Sequence, residues 1–264
     1  MSDLTNDFRA FANAQADVVG IAPVSRFEKA PAGYRPNDIL SSATNVVVIG
    51  VQMLGLESGH VHVMQGNYWV TSAEAPRLAY YCAKWLRNKG YDVAPISPFL
   101  PLDMTKESGL RADFSHRHAA VEAGLGEIGL NNLLITPQYG PRVRLASIIT
   151  NAPLEADPRF EQTVCLGEDC NLCIKKCPVE AFTPSGETDK RKCLRHTLKY
   201  GYGSFLRSLR GLLQTEKDKV PELLRDPALP EFFQFLEMSG AAECFECIRV
   251  CPIGKKRKVK DQSG

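Results

Sequence analysis

The sequence predicts an α+β protein: an α/β domain over residues 1–155, then a small cysteine-built domain over 156–264. Three observations carry that reading. Apolar strand-like runs and an amphipathic helix alternate in the first half, as they do where helices cover a sheet. Eight of the nine cysteines crowd into the second half. Asn151 to Arg159, with Pro153 and Pro158, breaks the pattern between them and is the expected domain boundary.

The elements follow in order. Asp7 to Gln15 places Phe8, Phe11 and Ala12 on one helical face. Asp17-Val-Val-Gly-Ile-Ala22 is a strand ended by Pro23, and residues 28–38, with Pro31, Gly33 and Pro36, form a loop. Asn45-Val-Val-Val-Ile-Gly-Val51 is continuously apolar, which predicts a strand buried on both faces. Residues 54–72 show no clear period and are expected to be a functional loop. A helix is expected over Pro76 to Lys89, with proline in its first turn and Gly90 as its stop. Leu78, Tyr81, Cys82, Trp85 and Leu86 share its buried face, so Cys82 is expected to be a core thiol rather than a ligand. Tyr91 to Ile96 continues as a strand, and His116 to Glu122 as a short helix ending at Ala123-Gly-Leu-Gly126. Asn132 to Thr136 and Val143 to Thr150 are strands, expected to pair as a hairpin across Pro137, Gly140 and Pro141. Beyond the first cysteine run, Thr188 to Gln214 reads as one or two helices interrupted at Gly201 and Gly203. Residues 215–240 complete a helical insertion (about 194–240) whose Phe232, Phe233, Phe235 and Leu236 are expected to pack back.

The cysteines carry the chemistry. One run is Cys165-x4-Cys170-x2-Cys173-x3-Cys177-Pro178, the other Cys244-x2-Cys247-x3-Cys251-Pro252, with Cys193 between them. Two sets of four thiolates suit two [4Fe–4S] clusters, and the final Cys-Pro of each run is the ligand that crosses to the other cluster in two-cluster ferredoxins. One cluster is therefore assigned to Cys165, Cys170, Cys173 and Cys251, the other to Cys177, Cys193, Cys244 and Cys247. The longer gap after Cys165 forces Leu166 to Asp169 to bulge. Two structural zinc sites are the alternative, since zinc also takes paired CxxC ligands, but zinc ribbons lack the x3-Cys-Pro ending. Disulfides are not expected, because there is no secretory leader and a cytosol keeps thiols reduced.

Composition narrows the rest. The 264 residues are 44% hydrophobic, enough for a real core, and a net charge of +2 gives no whole-chain field for nucleic acid. No apolar run has the roughly 20 residues of a membrane span, so a soluble cytoplasmic protein is expected. The basic block Lys255-Lys-Arg-Lys-Val-Lys260 reads as a solvated end.

Asp113-Phe-Ser-His-Arg-His118 is the densest polar cluster outside the cysteines. Reduction needs protons, and an imidazole of ordinary pKa, about 6.5, is a good donor. His116 is the expected donor, Arg117 the holder of an anionic group, and Asp113 and His118 the support; the competing account has Ser115 capping the helix and both imidazoles satisfying local backbone. His60 and His62, alternating along an extended segment, would face one way and could take a metal, or could simply be surface residues. Tyr68 and Tyr139 could donate protons or pack. Arg142 and Arg144, alternating on a strand, could clamp a phosphate or carboxylate or face solvent.

Several stretches together resemble one family. They are Ala16-Asp-Val-Val-Gly-Ile-Ala22, Glu122-Ala-Gly-Leu-Gly-Glu-Ile-Gly129, Asn132-Leu-Leu-Ile-Thr-Pro137, Gly140 and Ile148-Ile-Thr150, leading into the double cysteine run. The chain resembles a short member of the epoxyqueuosine reductase and reductive dehalogenase superfamily. The resemblance implies a nitroreductase-like α/β domain that holds base-off cobalamin and a ferredoxin-like domain whose two [4Fe–4S] clusters feed it electrons; a flavin-like group in place of the corrinoid is the alternative. Gly124, Gly126, Tyr139, Gly140 and Arg142 are then the expected cofactor-binding residues. An external donor of ferredoxin or flavodoxin type and a small-molecule substrate are the expected partners. Three departures argue against tRNA as substrate. Leu110 falls where the epoxyqueuosine reductases carry a proton-donating aspartate, Glu127 replaces a tryptophan of the glycine motif, and the C-terminal helical repeats are absent. Two other functions stay open: an electron carrier serving a larger redox complex, and a tRNA epoxyqueuosine reductase-like enzyme whose basic tail replaces the repeats.

Overall fold

The computed structural model describes residues 3–98, 112–183, 185–197, 202–223, 225 and 244–255. Its centre is an antiparallel sheet in the order β1-β2-β6-β3, made of Val18–Pro23 (β1), Asn45–Gln52 (β2), Val93–Ile96 (β3) and Val143–Thr150 (β6). Helices Asp3–Asn13 (α1) and Val61–Asn88 (α3) cover one face. His116–Glu122 (α4) covers the other, beside a small ribbon of Glu127–Ile128 (β4) and Leu134–Ile135 (β5). The short helix Pro36–Ile39 (α2) begins at the end of the expected 28–38 loop.

The period-2 rule explains the layering. Val47 and Ile49 of β2, with Ala146 and Ile148 of β6, meet Phe8, Leu78, Cys82 and Leu86 of α1 and α3. Val46 and Val48, with Leu145 and Ile149, meet Ala119 and Ala120 of α4. Residues 46–49 are wholly buried, as the unbroken apolar run implies.

Two expectations are corrected. The helix expected from Pro76 starts at Val61, and Pro76 lies inside it. Met64, Tyr68, Thr71, Ala75, Leu78 and Cys82 are buried along it at helical spacing, and that packing outweighs the N–H that proline withholds. The hairpin between residues 132–136 and 143–150 does not form. β5 pairs with β4, Thr136 bridges Gly140, and β6 enters the main sheet between β2 and β3.

The expected boundary segment is laid onto the sheet layer. Ala152 and Leu154 are buried. Asp157 takes both of its Arg9 bonds at 2.7 Å and the Ile21 N–H at 2.8 Å. The second half continues through Leu172–Lys175 (α5), Lys190–Thr197 (α6), Tyr202–Gln214 (α7), Val220–Leu223 (α8) and Glu246–Val250 (α9). Phe245 and Ile248 sit in a third core with Met53, Leu56, Met64 and Tyr68, so α9 is fastened to the start of α3. The expected packing of Phe232, Phe233, Phe235 and Leu236 lies outside the described residues, as do Leu110 and most of the basic tail.

Candidate functional site

The chain brings the cysteines together in two groups. Cys165, Cys170, Cys173 and Cys251 line one pocket with Leu130, Ile135 and Pro252. Cys247 lies within electrostatic reach of Cys244, Cys193 and Cys177, and also of Cys173 of the other group. All eight are half-buried and outside any disulfide, whereas Cys82 is buried in the α1–α3 core. Burial pushes the thiols of Cys173, Cys247 and Cys251 upward, and neighbouring sulfurs add to it. Ligation must therefore displace protons that the folded chain holds firmly.

Local structure sets each sulfur. Gly167–Asp169 forms a 3-10 turn after Cys165, which is the bulge that its longer spacing requires. Asn171, with φ 35°, turns the chain into α5 and so aims Cys173. Asp189 accepts the N–H groups of Lys192 and Arg191, both at 3.0 Å, and caps the helix that carries Cys193; these bonds hold its carboxyl below its usual range. Among the described residues, no three His, Cys, Asp or Glu side chains converge to hold a single metal ion. His60 and His62 do not alternate along an extended segment, because His62 belongs to the first turn of α3.

The expected cofactor-binding residues make close contacts with protein. Arg142 is 3% exposed, and its guanidinium donates to the carbonyls of Ile253 at 2.6 Å, Tyr139 at 3.1 Å and Cys251. It ties the sheet to the last cysteine loop, so it is corrected from an anion clamp to a dock. Gly140 has φ 58°, and a Cβ there would stand 2.1 Å from the Ile253 oxygen. Gly254 presses in turn on the Tyr139–Gly140 backbone. A Cβ at Gly126 would stand 2.1 Å from the Ile135 oxygen, and one at Gly124 2.2 Å from the Pro158 oxygen. These glycines allow backbone to approach backbone, while Arg142 also lines a cavity of about 760 Å³ and Gly124 one of about 280 Å³. Arg144 donates to the Tyr68 hydroxyl at 2.6 Å and lies over its ring, which in turn meets Phe245 edge-on.

The polar cluster at α4 divides. His116 places Nδ1 2.9 Å from the Ser147 hydroxyl and Nε2 3.4 Å from the Ser97 carbonyl. Burial, with Arg144 adding to it against the Ser97 bond, lowers its pKa to about 4. The expected near-neutral donor is therefore a neutral imidazole at pH 7. Arg117 donates to the Asn132 carbonyl and so braces the turn into β5 rather than presenting a free cation. Asp113 is exposed. Ser115 bonds His118 at 2.6 Å and makes no side-chain cap of α4. His118 has its pKa lowered by burial and then by Arg117, and opens on a cavity of about 320 Å³ with Lys29, Tyr34, Phe27 and Phe114. A larger cavity, about 760 Å³, lies where Gln52 and Glu57 meet Lys176, Arg249 and Gly254.

Sequence reasoning missed Glu127 as a functional residue. One carboxylate oxygen accepts the N–H groups of Val164 and Cys165, both at 2.6 Å. A lone acid in an otherwise glycine-rich apolar turn was the signal.

No family model matches the chain. Curated relatives do. Epoxyqueuosine reductase of Bacillus subtilis is 29% identical over 151 residues, 57% of this chain and 32% of that protein. Tetrachloroethene reductive dehalogenase of Dehalobacter restrictus is 30% identical over 155 residues, 58% of this chain and 24% of its own length. The matched segment thus spans about a third or less of these relatives. Among solved structures, epoxyqueuosine reductase of Bacillus subtilis aligns with 96% of this chain and 65% of its own, at TM-score 0.57 and 18% identity. A catabolic reductive dehalogenase aligns with 72% of this chain and 28% of its own, at TM-score 0.57 and 20% identity. By sequence the chain is similar to epoxyqueuosine reductases and reductive dehalogenases, as its motifs suggest, and by structure it shares their fold.

Proposed function

We propose that the chain is an iron–sulfur oxidoreductase that reduces a small substrate with electrons from an external donor of ferredoxin or flavodoxin type. Cys165, Cys170, Cys173 and Cys251 would hold one [4Fe–4S] cluster, and Cys177, Cys193, Cys244 and Cys247 the other. The single observation that carries the reading is the shared pocket: four cysteines from two distant runs line one cavity, in the grouping that ferredoxin spacing demands. When bound, such clusters supply one-electron transfer at a potential set by their surroundings.

The chain's own residues do the remainder. Arg142 and Gly140 fasten the Cys251 loop to the sheet. The third core fixes the Cys244–Cys247 turn through Phe245 and Ile248. The aromatic cavity beside His118 and Lys29 is the candidate substrate chamber: ring-sized, with a cation for an anionic substituent and an imidazole to pass a proton. A reductive dehalogenase among the structural relatives is described as B12-dependent. Of the five residues expected to bind such a group, Arg142 lines the cavity of about 760 Å³ and Gly124 one of about 280 Å³; no step is assigned to the group.

Anaerobic purification followed by iron, sulfide and cofactor analysis tests the reading. About eight irons and eight sulfides per chain are expected. Zinc without sulfide refutes it. In the same sample, an absorbing organic or corrinoid component would show a second cofactor.

A second reading has one observation in its favour. An epoxyqueuosine reductase solved with a tRNA stem loop aligns with 95% of this chain at TM-score 0.56. The expectation that nucleic acid is no partner gains no support from that likeness. Loss of queuosine in a deletion strain supports a tRNA-modifying role, and unchanged tRNA removes it.

A further inference from the structure

We infer that Glu127 is the positioning residue for Cys165, the first sulfur of the cysteine pocket. The inference rests on the iron–sulfur reading for its redox consequence but not for its geometry. From Pro153 to Val164 the chain has neither helix nor strand. Immediately after Cys165 it bulges through the turn Gly167–Asp169, with Leu166 56% exposed. A sulfur carried between an irregular lead-in and a bulge has no regular element to aim it. Glu127 supplies the missing anchor. Its oxygen takes two consecutive backbone N–H groups, those of Val164 and Cys165, at 2.6 Å each. Both bonds have a charged acceptor, the stronger kind.

The anchor is itself rigidly placed. Glu127 pairs with Ile135 across the β4–β5 ribbon, and Ile135 lines the same pocket as Cys165. Gly126 lets that ribbon close to backbone distance. The ribbon therefore forms one wall of the pocket and, through Glu127, sets the sulfur opposite that wall. A carboxylate held there also places negative charge beside an already anionic cluster, which disfavours its reduction.

Two variants separate geometry from charge. Glu127→Ala removes both bonds. Glu127→Gln keeps an oxygen acceptor and removes the charge. In the reconstituted full chain, iron release to a chelator should occur in two phases, one for each cluster. Glu127→Ala should accelerate one phase about tenfold or more and leave the other unchanged. Glu127→Gln should retain both clusters, with the midpoint potential of one moved upward and the other unmoved. Release traces of Glu127→Ala that superimpose on the wild type overturn the inference, as do unmoved potentials in Glu127→Gln. Should Glu127→Ala fail to fold, the potentials of Glu127→Gln decide. Should the wild type bind no iron, the functional reading falls alone. The anchor is then read from amide exchange at Val164 and Cys165, about tenfold faster in Glu127→Ala if it holds and unchanged if it does not.

Discussion

Replacing Arg142 by methionine should detach the last cysteine loop while leaving the sheet folded. The side chain is 3% exposed and its guanidinium serves the carbonyls of Ile253, Tyr139 and Cys251. Methionine keeps most of the aliphatic stem and removes every donor. A hydrogen bond from a charged donor contributes roughly 1.5–3 kcal/mol, and bonds sharing one side chain are not additive. Partial hydration of the freed carbonyls lowers the sum further, so about 3–5 kcal/mol is a reasonable figure for the dock. Domains of ordinary stability have roughly 5–15 kcal/mol in hand, so global unfolding is not expected. The loss should appear locally. Hydrogen exchange followed by mass spectrometry should show the 244–255 peptide exchanging at least about a hundredfold faster, with peptides of β2 and β6 unchanged. Arg142→Lys should fall between wild type and Arg142→Met, because an ammonium cannot span three carbonyls in a fixed fork. Exchange in the 244–255 peptide equal to wild type, with iron content also equal, would refute the claim that Arg142 is the dock.

Gly140→Ala should lower the melting temperature by roughly 5–10 °C, since its Cβ would stand 2.1 Å from the Ile253 oxygen at a φ of 58°; a melting curve identical to wild type would show that the contact is not needed. Cys82, buried in the core with its thiol pushed up to about 12, should escape alkylation at pH 8 in the native chain and react once urea is added, as read by peptide mass. His116 makes stability fall on acidification. Its folded pKa is lowered from 6.5 to about 4, chiefly by burial, so the unfolded chain binds the proton first. Stability is undiminished above about 6.5 and declines between about 6.5 and 4, by at most about 3 kcal/mol and less for a half-buried ring. Urea midpoints of wild type and His116→Gln, compared at pH 7 and pH 5, should converge or cross as the wild type loses this margin; parallel curves would refute the assignment.

What the sequence disclosed and what it withheld divide along physical lines. Residues 46–49 were legible as a doubly buried strand because an unbroken apolar run leaves no polar face. His116–Glu122 was legible from its own pattern and its glycine stop. Cys165, Cys170, Cys173 and Cys251 line one pocket, a proximity that thiol spacing alone suggests. The first half of α3 was not, because Gly66, Asn67, Thr71 and Pro76 obscure a period that only packing against β2, β6 and α9 makes plain. The partner of β6 was not legible either. A tight turn at Gly140 looks the same whether it joins a hairpin or, as here, leads a strand into a sheet set down much earlier in the chain. His116 was singled out as a near-neutral proton donor, yet its charge state depends chiefly on burial and then on Ser97 and Arg144, the latter about thirty residues downstream.

The glycine motif and Gly140 serve close approach between stretches of backbone. A glycine required for close approach reads alike whether the approaching group is a ligand or another stretch of backbone. Here Ile253, Ile135 and Pro158 supply that backbone. The approach has a purpose that a free ferredoxin would not need. Cys251 completes a pocket whose other sulfurs come from residues 165–173, and that pocket is walled by Ile135 of the β4–β5 ribbon. A ligand arriving from some eighty residues away must return to a fixed position. Side-chain packing alone tolerates shifts of several tenths of an ångström, whereas carbonyls gripped by a buried guanidinium and glycines in backbone contact do not. The first half of the chain is therefore more than a neighbour of the cysteine segment. It is the template on which Cys251 is set, which is why substitutions at Arg142, Gly140 or Glu127, none of them a cysteine, should register first in the metal content.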